Sequence, residues 1–166
     1  DIGISEQWYE DDYKDHIHLP SSMAESGKGN DVRVNTKWTG QIVDSSWYND
    51  DRYEKYRDGE EIKVPFWLQP IKHYVGPAWY KRTITIPTSW NDKRIKIFFE
   101  RCHWQSQLWI DGKEIGSHNY LATPHQYILP NLRPGDHSLV VRIDNRINDI
   151  EPGMNAHSIS DHTQTN

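Results

Sequence analysis

The chain of 166 residues has very little cysteine and no long hydrophobic run. The single cysteine, Cys102, permits no internal disulfide and says little about the compartment in which the protein works. No apolar stretch approaches the roughly 20 residues needed to span a bilayer, and the first residues lack the basic start and apolar core of a signal peptide. We therefore expect no membrane partner. The localisation stays open, because a periplasmic or secreted protein whose signal peptide had been removed would look the same.

An excess of positive charge is also lacking. The 19 lysines and arginines are outnumbered by 24 aspartates and glutamates, which gives a formal net charge of -5, and the basic residues are scattered along the chain. Proteins that bind a phosphate backbone concentrate basic residues in a patch or stripe. The sequence therefore predicts no nucleic-acid partner.

Aliphatic residues are scarce, and aromatic residues make up the difference. Ile, Leu, Val and Phe together form about a fifth of the chain, which is close to the level at which disorder becomes a concern. The chain has 8 Trp and 9 Tyr residues. Each brings a large apolar body with a polar handle, so it can fill a core, face a partner or form a platform for a ligand. Composition does not choose among these three roles.

Short apolar runs begin at about residue 64 and are separated by turn residues, at the spacing that is typical of β-sandwiches. Apolar and polar residues alternate within the runs, so each strand should bury one face. The pattern predicts an all-β fold, an antiparallel β-sandwich. The apolar faces are formed by Ile95, Ile97 and Phe99 in one strand, and by Leu139, Val141 and Ile143, opposite Val140, Arg142 and Asp144, in another.

One hairpin is predicted by its turn. Trp109 and Ile110 precede Asp111-Gly112, and this pair suits the positive φ values of a two-residue hairpin loop. Alternation places Trp109 opposite Ile110, so we expect Trp109 to cover one sheet face. The length fits a single domain over residues 1–166, in which residues 1–60 are predicted to be a loop-rich N-terminal extension.

The candidate catalytic motifs have simpler explanations. Adjacent carboxylates at residues 50–51 and 60–61 cannot flank a bond at the fixed gap that acid–base hydrolysis needs, and they lie in polar, solvated segments. Ser158, Asp161 and His162 lie within five residues, but catalytic triads assemble from distant segments and need an oxyanion hole. We therefore predict no catalytic residue in this chain.

Metal and cofactor sites are not predicted either. His16 and His18 would share one side of a strand and form half of a zinc site, but no further cluster at metal-ligand spacing follows. Cys102 and His103 would point to opposite faces as neighbours on a strand, so a buried structural cysteine is favoured over a thiolate pair. The sequence predicts no metal and no cofactor.

An ordered series of residues between 74 and 146 resembles a known family. The series comprises Gly76-x-x-Trp79-Tyr80 with Arg82, Pro87 and Trp90, the hairpin Trp109-Ile110-Asp111-Gly112-Lys113, Gly116, Thr123-Pro124, the Pro134-Gly135 turn, and Val141-Arg142-Ile143-Asp144-Asn145-Arg146. It is similar to the N-terminal sugar-binding domain of glycoside hydrolase family 2, the family of β-galactosidases and β-glucuronidases. Residues 17–43 look like the opening loop of that domain.

The resemblance implies a jelly-roll sandwich, like that of galactose-binding domains, ahead of an immunoglobulin-like domain and a (β/α)₈ barrel. In that family two barrel glutamates perform retaining hydrolysis of O-glycosidic bonds. No segment here can supply a barrel of about 250 residues. The resemblance therefore implies a fragment of a larger multidomain enzyme that is inactive by itself. Its partners would be a carbohydrate, such as a β-galactoside or β-glucuronide, and the barrel and immunoglobulin-like domains of the same polypeptide.

The resemblance also suggests substrate-binding residues. The family's first domain lends an acidic residue to the sugar pocket from the segment after its last long strand, and Asp161 is the residue carried over here, with His162 beside it. Asn145 and Arg146 look like the residues that lead into that segment. Trp104, at the predicted end of a strand, is the best candidate for an aromatic ring that stacks on a sugar.

Two other functions remain open at this point. An independent carbohydrate-binding module would need exposed coplanar aromatics and measurable sugar affinity in isolation. A purely structural interaction domain would make no contact with sugar. The thin aliphatic content and the polar first third favour a domain that packs against neighbours, so the non-catalytic module of a β-glycosidase ranks first.

Overall fold

The computed structural model describes residues 1–31, 51, 54, 57–58, 61–62, 72–120, 123–129 and 132–146, with only the backbone given for 57–58 and 61–62. The chain divides into two compact units. The first contains residues 1–16 and 76–146, and the second contains residues 17–75 and 147–166.

Most of the regular structure in these ranges is β-strand. Helix α1 comprises Ile2–Ser5, and single-turn 3₁₀ helices comprise Trp8–Glu10 and Thr88–Trp90. None of these short helices could reach across a lipid bilayer. The described strands, in chain order, are β1 (Asn30–Asp31), β2 (Arg57–Asp58), β3 (Glu61–Ile62), β4 (Lys72–His73), β5 (Pro77–Ile86), β6 (Ile95–Phe99), β7 (Gln105–Ile110), β8 (Lys113–Asn119), β9 (His125–Leu129) and β10 (Gly135–Asp144).

The first unit is built from two antiparallel sheets. One has four strands in the order β5-β10-β7-β8, and the other pairs β6 with β9. Strand β10 is central: it pairs with all ten residues of β5, from Gly135 opposite Ile86 to Asp144 opposite Pro77, and with β7 on its other side. A β-bulge between Leu108 and Trp109 shifts the register of the β7–β8 pair.

The core lies between the two sheets, on the faces that the sequence pattern assigns. In β6 the predicted inward residues are buried or half-buried, whereas Lys96 and Phe98 are exposed. The predicted all-β class, an antiparallel jelly-roll sandwich, is therefore confirmed. The buried core cluster consists of Ile86, Ile95, Leu108, Ile110, Tyr127, Leu129, Leu139 and Val141.

The β7–β8 hairpin has the predicted two-residue turn. Asp111 and Gly112 have φ values of 49° and 74°, both in the left-handed region that such a turn requires. The Asp111 carboxylate tethers the turn to β10, because Oδ1 accepts the backbone N–H of Ser138 at 2.8 Å and Oδ2 lies 2.6 Å from Nδ1 of His137.

The outer face of the four-stranded sheet is covered by residues from the N-terminal segment 1–16. Trp109 is only 2% exposed; its ring stacks on Tyr9 at a centroid distance of 5.2 Å and on Trp79 at 5.1 Å. Trp8 meets Trp79 edge-on at 6.2 Å. Gly3 lies so close to Trp79 that a Cβ atom there would come within 2.8 Å of the indole ring. Trp109 thus seals a sheet face, as its position in the alternation predicts.

In the described part of the second unit, two short antiparallel pairs join β1 to β4 and β2 to β3. Lys72 and Asp31, which are opposite each other in the first pair, form an ion pair. Gly29 precedes this pair with φ 110°, and a Cβ atom there would lie 2.5 Å from the backbone oxygen of His73. Glycine is required at this close approach of two backbones.

Candidate functional site

Strand β10 carries charged side chains on the face that looks away from the core. Residues two apart on a strand lie on the same face, so Arg142 and Asp144 share the outer face with Val140. This is the arrangement predicted from the alternation. Both are buried, with Arg142 4% exposed and Asp144 1% exposed. Burying a charge is costly unless it is paired and hydrogen-bonded, so their partners determine what this site can do.

The partners complete a charge quartet of Asp1, Arg142, Asp144 and Arg146. The Nε and Nη2 atoms of Arg142 donate to Oδ2 of Asp1 at 2.9 and 2.6 Å, and Nη2 also donates to Oδ2 of Asp144 at 2.6 Å. Arg146 grips the same carboxylate, with Nε donating to Oδ1 at 2.9 Å and Nη2 to Oδ2 at 2.6 Å. Two carboxylates thus balance two guanidinium groups.

The electrostatics of the quartet keep Asp144 ionised. Burial acts to raise the pKa of the Asp144 carboxyl group, but the hydrogen bonds from Arg146 and the charges of both arginines outweigh burial and hold that pKa below its usual range. Burial lowers the pKa of Arg142, against the opposing effect of Asp144, whereas the hydrogen bond to Asp144 raises the pKa of Arg146. A carboxylate with a lowered pKa that already accepts several hydrogen bonds is unsuited to general acid catalysis near neutral pH.

Trp104 and Asn145 lie beside the quartet. The backbone N–H of Trp104 donates to the carbonyl oxygen of Asp144 at 2.9 Å, although the two residues are far apart in the sequence. The side-chain oxygen of Asn145 accepts the backbone N–H of Gly76 at 2.8 Å. Both residues are half-buried, and the Arg146 side chain is the exposed member of the quartet at 43%.

The structure places three of the five predicted substrate-binding residues at or next to the end of β10: Trp104, Asn145 and Arg146. The other two, Asp161 and His162, lie outside the described residues. An indole ring, an amide and a guanidinium group are the types of side chain that stack on a sugar ring and hydrogen-bond its hydroxyl groups.

Sequence reasoning missed Asp1, Arg142 and Asp144 as members of this site. A signal was present for two of them. Arg142 and Asp144 have opposite charges at positions i and i+2 of a strand, so they lie on one face of the sheet, and their charges need either solvent or charged partners there. Asp1 gave no signal, because its contact with Arg142 spans 141 residues.

A second polar cluster lies inside the sandwich, where Ser106 of β7 meets His125 and Tyr127 of β9. The Ser106 hydroxyl lies 2.6 Å from Nδ1 of His125 and 2.6 Å from the Tyr127 hydroxyl. Nε2 of His125 lies 2.9 Å from the carbonyl oxygen of Tyr120, which can only accept, so Nε2 carries the proton and Nδ1 accepts from Ser106. Ser106 and His125 are both 0% exposed, so this serine–histidine pair has no access to a substrate.

The remaining predicted features are accounted for individually. Cys102 is buried, as predicted, and burial raises the pKa of its thiol to about 11. Residues 12–18 form no strand, so the geometry that would have placed His16 and His18 on one side of a strand is absent. The described ranges contain no group of three or more histidine, cysteine or acidic residues that could hold a metal ion.

A family model described as "Glycosyl hydrolases family 2, sugar binding domain" matches residues 34–154. In sequence, the chain is 25% identical over 72 residues to a beta-glucuronidase of Streptococcus agalactiae, which covers 43% of this chain and 12% of that protein. It is 30% identical over 74 residues to a putative beta-glucuronidase of Formosa agariphila, which covers 44% of this chain and 7% of that protein.

Solved structures show the same fold. A beta-glucuronidase from Ruminococcus gnavus in complex with D-glucaro-d-lactam matches with a TM-score of 0.57 at 20% identity, covering 89% of this chain and 19% of that chain. A beta-glucuronidase from an uncultured Clostridium species matches with a TM-score of 0.53 at 22% identity, covering 86% and 19%. This chain thus spans less than a fifth of the proteins to which it is compared.

Proposed function

Because the chain belongs to glycosyl hydrolase family 2, through that family's sugar-binding domain, we propose that it is the non-catalytic sugar-recognition part of a retaining β-glycosidase. In this proposal the bond-breaking residues lie in a barrel of the same polypeptide, next to an immunoglobulin-like domain. The complete enzyme would act in carbohydrate metabolism by hydrolysing O-glycosidic bonds.

One juxtaposition supports sugar recognition at the end of β10. The backbone hydrogen bond from Trp104 to Asp144 brings residue 104 to the end of β10, which is followed by Asn145 and Arg146. An aromatic ring beside hydrogen-bonding side chains is suited to a sugar, which has apolar C–H faces and hydroxyl edges. Asp161 and His162, which lie outside the described residues, stay proposed substrate-binding residues on the strength of the family resemblance.

The non-catalytic role is supported by size and by charge. A (β/α)₈ barrel typically needs about 250 residues, more than the 166 of this chain. Within the described part of the site, both oxygens of the Asp144 carboxylate accept hydrogen bonds from Arg146, so this acid is held as a structural anion.

The substrate is proposed to be a β-glucuronide rather than a β-galactoside. Three relatives that match in sequence, at 25% to 30% identity, are named beta-glucuronidase or putative beta-glucuronidase. An NMR titration of the ¹⁵N-labelled 166-residue chain with methyl β-D-glucuronide, and in parallel with methyl β-D-galactoside, tests this choice.

The titration should shift the Trp104 indole N–H and the Asn145 side-chain signals, and the glucuronide should cause the larger shifts. Trp104→Ala should weaken binding about tenfold, which corresponds to roughly 1.4 kcal/mol. Trp90→Ala, which truncates a tryptophan that is 49% exposed and belongs to a different part of the unit, is the matched control. Shifts that spare residues 104 and 145, or no shifts at all, would contradict sugar recognition here.

The absence of hydrolytic activity is tested separately with nitrophenyl β-glucuronide and nitrophenyl β-galactoside as substrates. We expect no turnover by the purified chain above the rate of a buffer control. Hydrolysis by this chain alone would overturn the assignment of the chemistry to another part of the polypeptide.

A further inference from the structure

The exposed guanidinium group of Arg146 is held in place by a buried set of charges. Its Nε and Nη2 atoms both bond to Asp144, which is almost inaccessible to solvent. Because a guanidinium group is planar, this grip along one edge directs the Nη1 edge away from Asp144. The orientation of Arg146 therefore depends on what holds Asp144.

Asp144 is in turn held by Arg142, and Arg142 is held by Asp1. The carboxylate of Asp1 accepts two hydrogen bonds from Arg142 and lies 3.7 Å from Nη2 of Arg146. The side chains of Asp1 and Arg142 are 9% and 5% exposed, so solvent does little to screen these charges. A chain of alternating charges thus runs from the N-terminal segment to the exposed arginine.

The charge balance of the quartet depends on the Asp1 carboxylate. With Asp1 ionised, two carboxylates face two guanidinium groups. Without its charge, Asp144 would be the one carboxylate of this quartet left to face both arginines, and the repulsion between Arg142 and Arg146 would be only partly offset. Arg142 is buried and cannot leave, whereas Arg146 is partly exposed and can turn into solvent at little cost.

We propose that Asp1 and Arg142 are positioning residues that act through Asp144 to hold Arg146 in the orientation in which it contacts a sugar. The inference rests on the proposed function for the sugar contact. The positioning can be measured without any sugar.

The experiment measures the exchange of the Arg146 Hε proton with water, by ¹⁵N NMR on the full 166-residue chain. In the wild type we expect this proton to exchange about tenfold more slowly than those of the exposed Arg94 and Arg101, because it takes part in a charge-assisted hydrogen bond. In Asp1→Asn the rate should rise about fivefold or more, toward that of the exposed arginines. Affinity for methyl β-D-glucuronide should fall by a similar factor.

Two variants separate positioning from a general loss of packing. Asp1→Glu keeps the negative charge and should restore most of the slow exchange. Asp12→Asn removes another carboxylate of the same segment, one that is fully exposed and pairs with Lys81 at 2.8 Å, and should leave the Arg146 rate unchanged. If Asp1→Asn does not fold, Arg142→Lys, which keeps the charge but removes the planar fork, gives the same comparison.

The outcomes of the two measurements are distinguishable. An Arg146 exchange rate that is the same in folded Asp1→Asn as in the wild type overturns the positioning inference, whether or not sugar binds. A wild-type chain that does not respond to the glucuronide overturns the proposed function, while the exchange rates still decide the positioning of Arg146.

Discussion

Two tryptophans of the first unit have opposite surroundings, and truncating each of them should have very different effects. Trp109 is 2% exposed and stacks on both Tyr9 and Trp79, whereas Trp90 is 49% exposed. Trp109→Ala should lower the free energy of unfolding by about 3–5 kcal/mol, because it leaves a cavity between two rings that cannot close fully. Trp90→Ala should change it by about 0.5 kcal/mol or less. Urea unfolding followed by far-UV circular dichroism measures both without relying on tryptophan fluorescence.

Equal losses in the two variants would show that Trp109 does not close the outer sheet face. The sequence alone could not distinguish these tryptophans by composition, since both are large amphipathic residues. Alternation along β7 did place Trp109 on the face opposite the core. Alternation could not predict which residue packs on Trp109, because Tyr9 lies 100 positions away and no sequence pattern links it to β7.

At the scale of elements, the β7–β8 hairpin depends on one glycine. Gly112 has φ 74°, and an L-residue with a side chain is disfavoured there by roughly 1–2 kcal/mol. Gly112→Ala would gain about 0.4–1 kcal/mol from the lower entropy of the unfolded chain, so the net loss of stability should lie between about 0 and about 1.6 kcal/mol. Lys113→Ala, at an exposed position of β8, is the control and should be neutral within about 0.5 kcal/mol.

The same urea titration measures the hairpin variants. A net gain in stability for Gly112→Ala would mean that the turn does not require a left-handed conformation at this position.

The elements that the sequence predicted well are those whose signal is local. Alternation in β6 and the Asp-Gly turn of the hairpin depend on neighbouring residues, and the structure confirms them. In β10 the alternation identifies the core-facing residues, but the prediction that only one face is buried is wrong, because Val140, Arg142 and Asp144 are buried on the other face. Segment 1–16 is different. A four-residue helix is too short to show a 3.6-residue period, and its packing against the sheet is decided by contacts with residues more than 60 positions away. Its role as a cover for the outer face could not be predicted from its own residues.

The candidate site also combines features that the sequence predicts with features that depend on contacts between distant parts of the chain. Trp104, Asn145 and Arg146 were predicted from a family resemblance and from the position of an aromatic at a strand end; they lie at or next to the end of β10, and their sugar-binding role stays a prediction. The quartet behind them was not predicted: the spacing of Arg142 and Asp144 shows only that they share a face of β10, and their partner Asp1 is 141 residues away from Arg142. The roles of Asp161 and His162 stay predictions, since both lie outside the described residues.

The stability of the protein should depend on pH through histidines whose pKa values are shifted in opposite directions. Burial lowers the pKa of His125, and also that of His103, so both are neutral in the folded state. Below the unfolded pKa of about 6.5, the unfolded chain binds more protons at these sites, and their contribution to stability falls as the pH drops. His137 has the reverse effect: the hydrogen bond and charge of Asp111 raise its pKa, so its contribution is full below about pH 6.5 and is lost as the pH rises through the raised pKa.

Removing the opposing histidine should therefore expose the effect of the buried ones. Above about pH 6.5, where His137 is protonated in the folded state but not in the unfolded chain, His137→Gln should lack the stability that the wild type gains as the pH falls. Between about pH 7 and pH 5, His125→Gln should lose stability less steeply than the wild type, even if its stability at pH 7 is lower, because the slope reports only the difference in bound protons. Urea unfolding at half-unit pH steps gives the slopes. A His137→Gln profile parallel to that of the wild type above about pH 6.5 would show that the Asp111–His137 pair does not contribute to folding. If His125→Gln retained the full acid slope, burial of this imidazole would not be what makes the stability fall on acidification.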